Sequence, residues 1–329
     1  MKSIKARGKV HGKNNVRRLR IGHLSTFYHT AITMMAKPEF LRGVDAEIEW
    51  RLFGTGPDIV NAFEMGQIDL AYVGLPPAII GIDRGVPITC VAGGHMEGTV
   101  LSGIKTLTGF PEVSDIKTIL KQFHGFKIGV PGKGSIHDVI LRHYLEACHA
   151  GDDVSVVNFR WADLILEAVG KGEIAAACGT PALSIALKRY ASGKILYPPF
   201  LLWPNNPSYG ILVTRELLTE KTELIGTFLS AHEDVTSFLR RMPLEASQVI
   251  SDYVGFIDRD FVMDTIMVSP KYCAYLSLEY RSATIDFVKI LKQLGYIRHI
   301  LEEDDIFDMS IIDSIHPPQD HYNDEITTQ

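Results

Sequence analysis

Short, continuous apolar runs alternate with segments whose apolar positions recur every three or four residues through most of the chain. Residues 68–73 form one such run, bounded by glycine and proline as a buried strand would be. Residues 136–150 show the other pattern, with apolar side chains spaced along one face of a helix. Alternation of this kind predicts an α/β protein in which mostly parallel strands are joined by helices.

The order of these elements occurs twice. The segment 66–78, in which an apolar strand ends at glycine, proline and alanine, has a counterpart at 172–182. Upstream, residues 19–22 correspond in the same way to residues 126–129. We therefore expect two α/β lobes of similar build with their turns opposed, a chance likeness between βαβ units being the alternative.

Each repeat contains a turn at which a strand gives way to a helix. In the first repeat this turn is Gly74, Leu75 and Pro76, and in the second Thr180 precedes a proline. A turn at the carboxyl end of a buried strand exposes backbone N–H groups beside small residues, where open α/β sheets usually hold ligands. Both turns are therefore predicted to face a ligand between the lobes.

The composition is that of a globular protein without strong attraction for polyanions. The chain has 329 residues, of which 46% are hydrophobic and 22% charged, and its formal net charge is −6. The acidic balance argues against nucleic acid as the main partner, and no apolar run is long enough to cross a bilayer. The length suits two domains of medium size.

The first residues form a separate basic segment. Lysine and arginine recur before Ile21 without a single acidic residue, which favours a solvated, disordered leader over residues 1–18. Contact with a membrane surface or nucleic acid is the alternative. No apolar core follows the positive charges, so the segment is not an intact secretory signal. An extracytoplasmic location is expected if a leader was removed, and a cytoplasmic one if the sequence is complete as written.

No residue pattern indicates catalysis, a cofactor or a metal. The four cysteines lie far apart and none forms a C-x-x-C pair, so each is most simply a small buried apolar residue. Neither a Gly-x-Ser-x-Gly nor a His-Glu-x-x-His motif occurs. We therefore expect a protein that is not an enzyme and that carries no cofactor and no metal ligands.

A glycine-rich loop opens the helix of the second repeat. Gly134 and Ser135 stand at its start, where amide groups and the helix dipole suit an anion. The loop lacks the spacing of a P-loop, which disfavours nucleotide hydrolysis. Simple capping of the helix by Ser135 is the alternative to ligand contact.

Other candidates are polar and aromatic residues near the predicted cleft: His29, His95, His137, Arg160, Trp161 and Tyr209. For each histidine, ligand contact and a structural role are equally open. The Arg-Trp pair could supply a charged fork and a stacking face, or it could lie in an ordinary surface loop. Residues 93–98, which begin with two glycines, are predicted to form a flexible loop.

These residues together resemble the substrate-binding proteins of ABC importers for nitrate, sulfonates including taurine, bicarbonate and thiamine-precursor pyrimidines, in the periplasmic-binding-protein superfamily. The resemblance covers residues 19–300. It rests on motifs that are weak singly and specific in this order: Leu19-Arg-Ile-Gly22, Gly54-Thr-Gly-Pro-Asp58, Gly66-Gln-Ile-Asp-Leu-Ala-Tyr-Val-Gly-Leu-Pro-Pro-Ala78, Arg84-Gly-Val-Pro87, Lys127-Ile-Gly-Val-Pro-Gly-Lys-Gly-Ser135 and Trp203-Pro-Asn-Asn-Pro207.

The resemblance implies a type II periplasmic-binding-protein fold, in which two lobes, each a mostly parallel sheet flanked by helices, are joined by a two-strand hinge. Lobe 1 would comprise residues 19–104 and 205–300, lobe 2 residues 105–204, and residues 301–329 an acidic C-terminal tail that is loosely attached. The ligand loops carried over from the family are residues 25–29, with Ser25, Thr26, Phe27 and His29 as the candidates, then Thr55, then Gly74 to Pro76, then Gly134 and Ser135, then Arg160 and Trp161, and Thr180.

The function implied is capture of a small anionic or polar organic ligand, such as nitrate, a sulfonate, taurine or a heteroaromatic ring. The protein would be a monomer that delivers this ligand to an ABC permease and its ATPase, meeting the membrane only through the permease. Two departures matter. The usual export leader is missing, which keeps a cytoplasmic enzyme or ligand sensor on the same fold as the alternative. Residues 73–77 contain neither the lysine nor the histidine of the related pyrimidine synthases, which argues against that chemistry.

Overall fold

The computed structural model describes residues 18–149, 151 and 153–324. Its ten strands within those ranges are β1 (Arg18–Leu24), β2 (Glu47–Phe53), β3 (Leu70–Val73), β4 (Ile88–Met96), β5 (Val100–Ile104), β6 (Lys127–Pro131), β7 (Ser155–Phe159), β8 (Ala176–Gly179), β9 (Gly193–Tyr197) and β10 (Pro207–Thr214). They form two five-stranded sheets, ordered β2-β1-β3-β10-β4 and β7-β6-β8-β5-β9.

Helices cover the sheets and connect their strands. In the same ranges the α-helices are α1 (Thr30–Ala36), α2 (Gly56–Glu64), α3 (Leu75–Asp83), α4 (Ile116–Lys121), α5 (Ile136–Ala147), α6 (Ala162–Gly170), α7 (Pro181–Tyr190), α8 (Pro199–Leu202), α9 (Arg215–Glu220), α10 (Thr222–Arg241), α11 (Pro243–Val254), α12 (Arg259–Val268), α13 (Leu278–Gln293), α14 (Glu303–Ile306) and α15 (Ile312–Ile315). A 3₁₀ turn, Pro38–Leu41, follows α1. Among the described residues, no helix combines the length and apolar character that a membrane crossing requires.

The two sheets have the same strand directions. In the first, β1 pairs parallel with β2 and β3, whereas β10 pairs antiparallel with β3 and β4. In the second, β6 pairs parallel with β7 and β8, whereas β5 pairs antiparallel with β8 and β9. Each sheet is therefore mostly parallel with one reversed strand, and the expected fold of two similar α/β lobes is confirmed.

The reversed strand of each sheet directly follows a connection from the other lobe. Strand β5 begins four residues after β4 ends, yet it belongs to the second sheet, and β10 returns the chain to the first. The chain therefore enters the second lobe before Val100, and the predicted boundary at 104/105 is too late. Pairing with β8 and β9 on either side is what holds residues 100–104 in that sheet.

Side-chain caps fix where several helices begin. The hydroxyl oxygens of Thr55, Ser135 and Thr180 accept hydrogen bonds from backbone N–H groups three residues further on, at the starts of α2, α5 and α7. Such caps satisfy one of the amides that a helix start leaves without an intrahelical partner. At Ser135 the structure shows the capping that was the alternative to ligand contact, and this cap leaves the amides of the first two helical positions available for a ligand as well.

The C-terminal region packs against the first lobe. Ile306 and Ile312 are fully buried, Tyr322 is nearly so, and Phe307 forms a backbone bridge with Cys90 of β4. The expectation of a loosely attached acidic tail over 301–329 is therefore wrong for residues 301–324, because apolar residues within the acidic run enter the core. Residues 325–329 lie outside the described ranges, as do residues 1–17 of the predicted leader, whereas Arg18 begins β1.

Candidate functional site

A cavity of about 70 Å³ lies between the lobes. This is several times the roughly 10–15 Å³ that one water molecule needs, so the cavity suits a small ligand. Both lobes contribute to its walls. The lining residues are Leu24, Ser25, Thr26, Tyr28, His29, Gly54, Thr55, Gly56, Gly74, Pro77, Pro131, Ser135, Ile136, His137, Ala162, Thr180 and Ser208.

Six helices begin at this cavity, three from each lobe. The residue that precedes the helix lines the cavity for α1, α2 and α3 of the first lobe and for α5 and α7 of the second. Helix α6 contributes its first residue, Ala162. Helix starts present amides without intrahelical partners and the positive end of the helix dipole, so their convergence favours a negatively charged or strongly hydrogen-bonding group.

The cavity wall provides hydrogen bonds but no fixed charge. Of the described residues that line it, none is aspartate, glutamate, lysine or arginine. Its hydroxyl groups belong to Ser25, Thr26, Tyr28, Thr55, Ser135, Thr180 and Ser208. A ligand there would be held by neutral donors and helix dipoles rather than by a salt bridge.

Two buried histidines line the wall, one from each lobe. His29 is 5% exposed, and its Nδ1 atom has no hydrogen-bond partner among the described residues. Burial, and then the nearby His95, lowers the pKa of His29 well below its usual value. His137 shares a 2.9 Å hydrogen bond through Nδ1 with the hydroxyl of Thr99, and burial lowers its pKa to about 4. Both rings are therefore neutral near pH 7.

Aromatic rings behind His29 hold it in place. The ring of Tyr209 lies 4.0 Å from that of His29, and the ring of Tyr28 lies 5.0 Å away at right angles. The phenol oxygen of Tyr209 is 3.0 Å from the hydroxyl of Thr30 and accepts a hydrogen bond from its backbone N–H. The ring of His95 lies 6.3 Å from that of Tyr209 and nearly parallel to it, and His95 does not line the cavity. The imidazole of His29 is thus fixed by packing.

The lobes touch one another around the cavity. The hydroxyl of Tyr296, which follows α13, donates a 2.6 Å hydrogen bond to Asp138 of α5. Asp138 is fully buried and also accepts hydrogen bonds from Gly134 and Arg142. Elsewhere, Arg189 of α7 forms ion pairs with Asp258, which caps the start of α12, and with Asp264, which lies within that helix. The lobes are therefore in a closed arrangement.

The structure brings half of the predicted ligand residues to the cavity. Those that line it are Ser25, Thr26, His29, Thr55, Gly74, Ser135, His137 and Thr180. Those that do not are Phe27, Leu75, Pro76, His95, Gly134, Arg160, Trp161 and Tyr209.

The eight residues away from the wall have other surroundings. Phe27 packs on Phe261 of α12, and Leu75 and Pro76 are buried within the first turn of α3. Arg160 and Trp161 line an outer groove against Gly54, and neither lines the cavity.

The remaining three stand behind the wall or beside it. His95 and Tyr209 lie among the rings around His29, as described above. Gly134 donates its backbone N–H to Asp138, at 2.9 Å, and faces a different surface groove together with Tyr296.

Sequence reasoning missed part of the wall. The missed residues are Leu24, Gly54, Gly56, Pro77, Pro131, Ile136, Ala162 and Ser208, whereas Tyr28 lies within the expected loop 25–29 without being a named candidate. Several stand directly beside predicted residues, such as Gly56 after Thr55 and Ile136 after Ser135. Helix starts were the available signal for these, since the first helical residue shares the exposed amides of its cap.

Comparison with known proteins finds relatives of this chain in sequence and in fold. The sequence profile of the NMT1-like family matches residues 12–253. A Brucella abortus protein, provisionally named a binding protein, is 24% identical over 242 residues, which cover 72% of this chain and 71% of the relative.

Two solved structures share the fold. The alkanesulfonate-binding protein of Xanthomonas axonopodis pv. citri, bound to MOPS, is similar with a TM-score of 0.75 and 17% identity over 88% of this chain and 98% of its own. The periplasmic nitrate-binding protein of Synechocystis is similar with a TM-score of 0.73 and 13% identity, over 92% and 88%. With the family profile matching well over half of its length, the chain belongs to the NMT1-like family.

Proposed function

We propose that the protein is a non-catalytic solute-binding protein that encloses a small anionic or polar organic ligand between its lobes. In this role the protein acts as a monomer outside the cytoplasmic membrane. It delivers the ligand to an ABC permease, which works together with an ATPase. The observation that carries the proposal is the convergence of helix starts from both lobes on one cavity without fixed charge. Similarity in fold to alkanesulfonate-binding and nitrate-binding proteins supports the same class of ligand.

The chemistry of the wall favours an anion that carries a single charge or a strongly polar group. Amides at the helix starts and seven hydroxyl groups can surround several oxygen atoms, as nitrate or a sulfonate presents. The free Nδ1 of His29 adds one further polar atom on the first lobe. His137 adds another on the second lobe, so that the ligand is held from both sides.

Contacts from both lobes explain why a ligand would favour closure. A ligand shifts an equilibrium between open and closed forms only by its difference in affinity for the two. In the open form the amides of one lobe alone would reach it. In the closed form both sets contact it, and Tyr296 and Asp138 add a hydrogen bond between the lobes.

The test begins with native mass spectrometry of the purified full-length protein, which looks for a co-purified small molecule. Calorimetry with nitrate, methanesulfonate, taurine and a methylpyrimidine then gives affinities. His29→Phe keeps a ring but removes the free nitrogen atom, and we expect about tenfold or greater loss of affinity, since hydrogen bonds to charged groups contribute about 1.5–3 kcal/mol.

His124→Phe is the matched control, because the His124 side chain is 77% exposed and lies outside the cavity lining. It should bind as the wild type does. If native mass spectrometry finds no co-purified molecule and no compound of the panel binds, the proposal fails. A mass spectrum that shows chemical turnover of a bound compound would instead support an enzyme on this fold.

A further inference from the structure

A second cluster of polar side chains lies in the first lobe, and none of its members lines the ligand cavity. Glu233 of α10, Cys273 between α12 and α13, and His316 directly after α15 place their carboxylate, sulfur and imidazole atoms within 4.8 Å of one another. Cys273 and His316 are buried, and the side chain of Glu233 is 19% exposed. We propose that these three residues bind a zinc ion.

Two of the three distances between the ligand atoms match those of a tetrahedral zinc site, and the third, between the sulfur of Cys273 and the carboxylate of Glu233, is within 4.8 Å. Zinc binds sulfur at about 2.3 Å and nitrogen or oxygen at about 2.0–2.2 Å, so that neighbouring ligand atoms lie roughly 3.5 Å apart. Here the sulfur of Cys273 is 3.4 Å from Nε2 of His316, which in turn is 3.7 Å from Oε2 of Glu233. Three such atoms leave the fourth position to a water molecule.

The imidazole of His316 is oriented as a metal ligand. Its Nδ1 lies 2.6 Å from the backbone carbonyl oxygen of Pro317, which fixes the proton on that nitrogen because a carbonyl oxygen can only accept. Nε2 therefore presents its lone pair to Cys273 and Glu233. Metal-bound histidines almost always donate their other N–H to a carbonyl or carboxylate in this way.

Burial raises the pKa of the free Cys273 thiol to about 12, so only a bound cation would hold it as a thiolate, but two backbone N–H groups are directed at its sulfur. The backbone N–H groups of Tyr275 and His321 both donate to its sulfur at 3.4 Å. Binding of zinc would replace the thiol proton, which is released to solvent, and the sulfur would keep both of these hydrogen bonds. Sulfur together with imidazole selects zinc over the harder calcium and magnesium ions.

Glu233 supplies the negative oxygen. Its Oε2 atom accepts hydrogen bonds from the hydroxyl of Thr236 at 2.8 Å and from the backbone N–H of Ala274 at 3.2 Å. Coordination would replace the longer of the two. Its Oε1 atom pairs with Arg240 at 3.3 Å and can keep that contact, which orients the carboxylate.

The proposed ion would fasten the C-terminal region to the first lobe, because His316 belongs to that region and the other two ligands do not. The test uses untagged full-length protein, stripped of metal with a chelator and titrated with zinc against a chromophoric competitor. We expect one zinc per chain. Cobalt in place of zinc should give the intense visible bands of a tetrahedral site and a sulfur-to-cobalt charge-transfer band.

Cys273→Ser should weaken zinc binding by at least about tenfold and abolish the charge-transfer band. Cys148→Ser is the control, since Cys148 lies beside His124 and Asp153 at another surface groove where a cation could bind adventitiously. Loss of zinc in this control with retention in Cys273→Ser would overturn the proposal. So would the absence of stoichiometric zinc in the wild type, or a cobalt spectrum without sulfur ligation. The wild-type cobalt spectrum tests for sulfur ligation by itself, even if Cys273→Ser does not fold.

Discussion

Acidification should destabilise this protein well above the pH at which its carboxylates titrate. Burial lowers the pKa of His95, His137 and His232 to about 4 in the folded chain. In the unfolded chain a histidine has its ordinary pKa of about 6.5. The unfolded state therefore gains a proton on each ring as pH falls through 6.5, whereas the folded state does not.

The sign and size of the effect follow from linkage. The stabilisation is complete above pH 6.5 and is lost as pH falls from 6.5 towards 4. Between pH 7.5 and pH 5.5 each of the three histidines should remove roughly 1–2 kcal/mol, and the three together about 4 kcal/mol. His29, whose pKa burial also lowers, acts in the same direction. This is a large part of the ~5–15 kcal/mol by which domains are usually stable.

Urea unfolding followed by circular dichroism at the two pH values measures this loss. The window avoids carboxylates, because their ordinary pKa values lie near 4. His232, whose nitrogens contact Thr30 at 3.1 Å and the carbonyl of Gly93 at 2.9 Å, provides the variant. His232→Gln should reduce the pH-dependent loss by about 1 kcal/mol.

The exposed His124 provides the control, and His124→Gln should leave the loss unchanged. A wild-type loss below about 1 kcal/mol between the two pH values would refute the reasoning, because the three buried rings would then titrate as in the unfolded chain. An equal reduction in both variants would refute the assignment to buried histidines.

Two substitutions test the contacts around the cavity. Tyr296→Phe removes the 2.6 Å hydrogen bond to Asp138 and should weaken ligand affinity about tenfold in calorimetry, because that bond joins the lobes only when they are closed. Unchanged affinity would show that the bond does not contribute to closure. Gly94→Ala should cost about 1–3 kcal/mol in urea unfolding, since the added carbon would stand 2.1 Å from the ring of Tyr209. Gly170→Ala, with open space around it, should change stability by no more than about 0.5 kcal/mol, and an equal cost at both sites would contradict the packing argument.

The duplicated strand-to-helix turns could be predicted from sequence because their signals are local. Thr55, Ser135 and Thr180 each precede a helix whose first turn contains proline or aspartate, and all three reach the cavity. A cap lies by its nature at the end of a helix, so the position of the helix also places the side chain. The existence of a cleft between two lobes follows from the repeat of these turns.

Side-chain direction was harder to predict than position. The sequence favours Tyr209 of β10 as a ligand residue, but its neighbour Ser208 lines the cavity, because successive residues of a strand point to opposite faces. Arg160 and Trp161 fall on the expected loop and point to its outer side, while Ala162 faces inwards. The direction of a loop side chain depends on backbone geometry that no local pattern specifies.

Contacts between distant parts of the chain left no local signal. Gly93 and Gly94 were expected in a flexible loop, yet both lie in β4, where Tyr322 and Tyr209 pack against them too closely for a larger residue. The C-terminal region, which is acidic overall, was expected to be loose. Only a few isoleucines of this region are buried. They are buried because the region covers one face of β4, which lies far away in the sequence.

A crystal structure of the protein with a compound that calorimetry shows to bind would reveal whether both lobes hold the ligand. We expect the compound to lie between the lobes, with its polar or charged group within hydrogen-bond distance of first-turn amides from both lobes, Ile136 of α5 among them. A compound held by one lobe alone, or in the outer groove beside Arg160 and Trp161, would contradict this expectation.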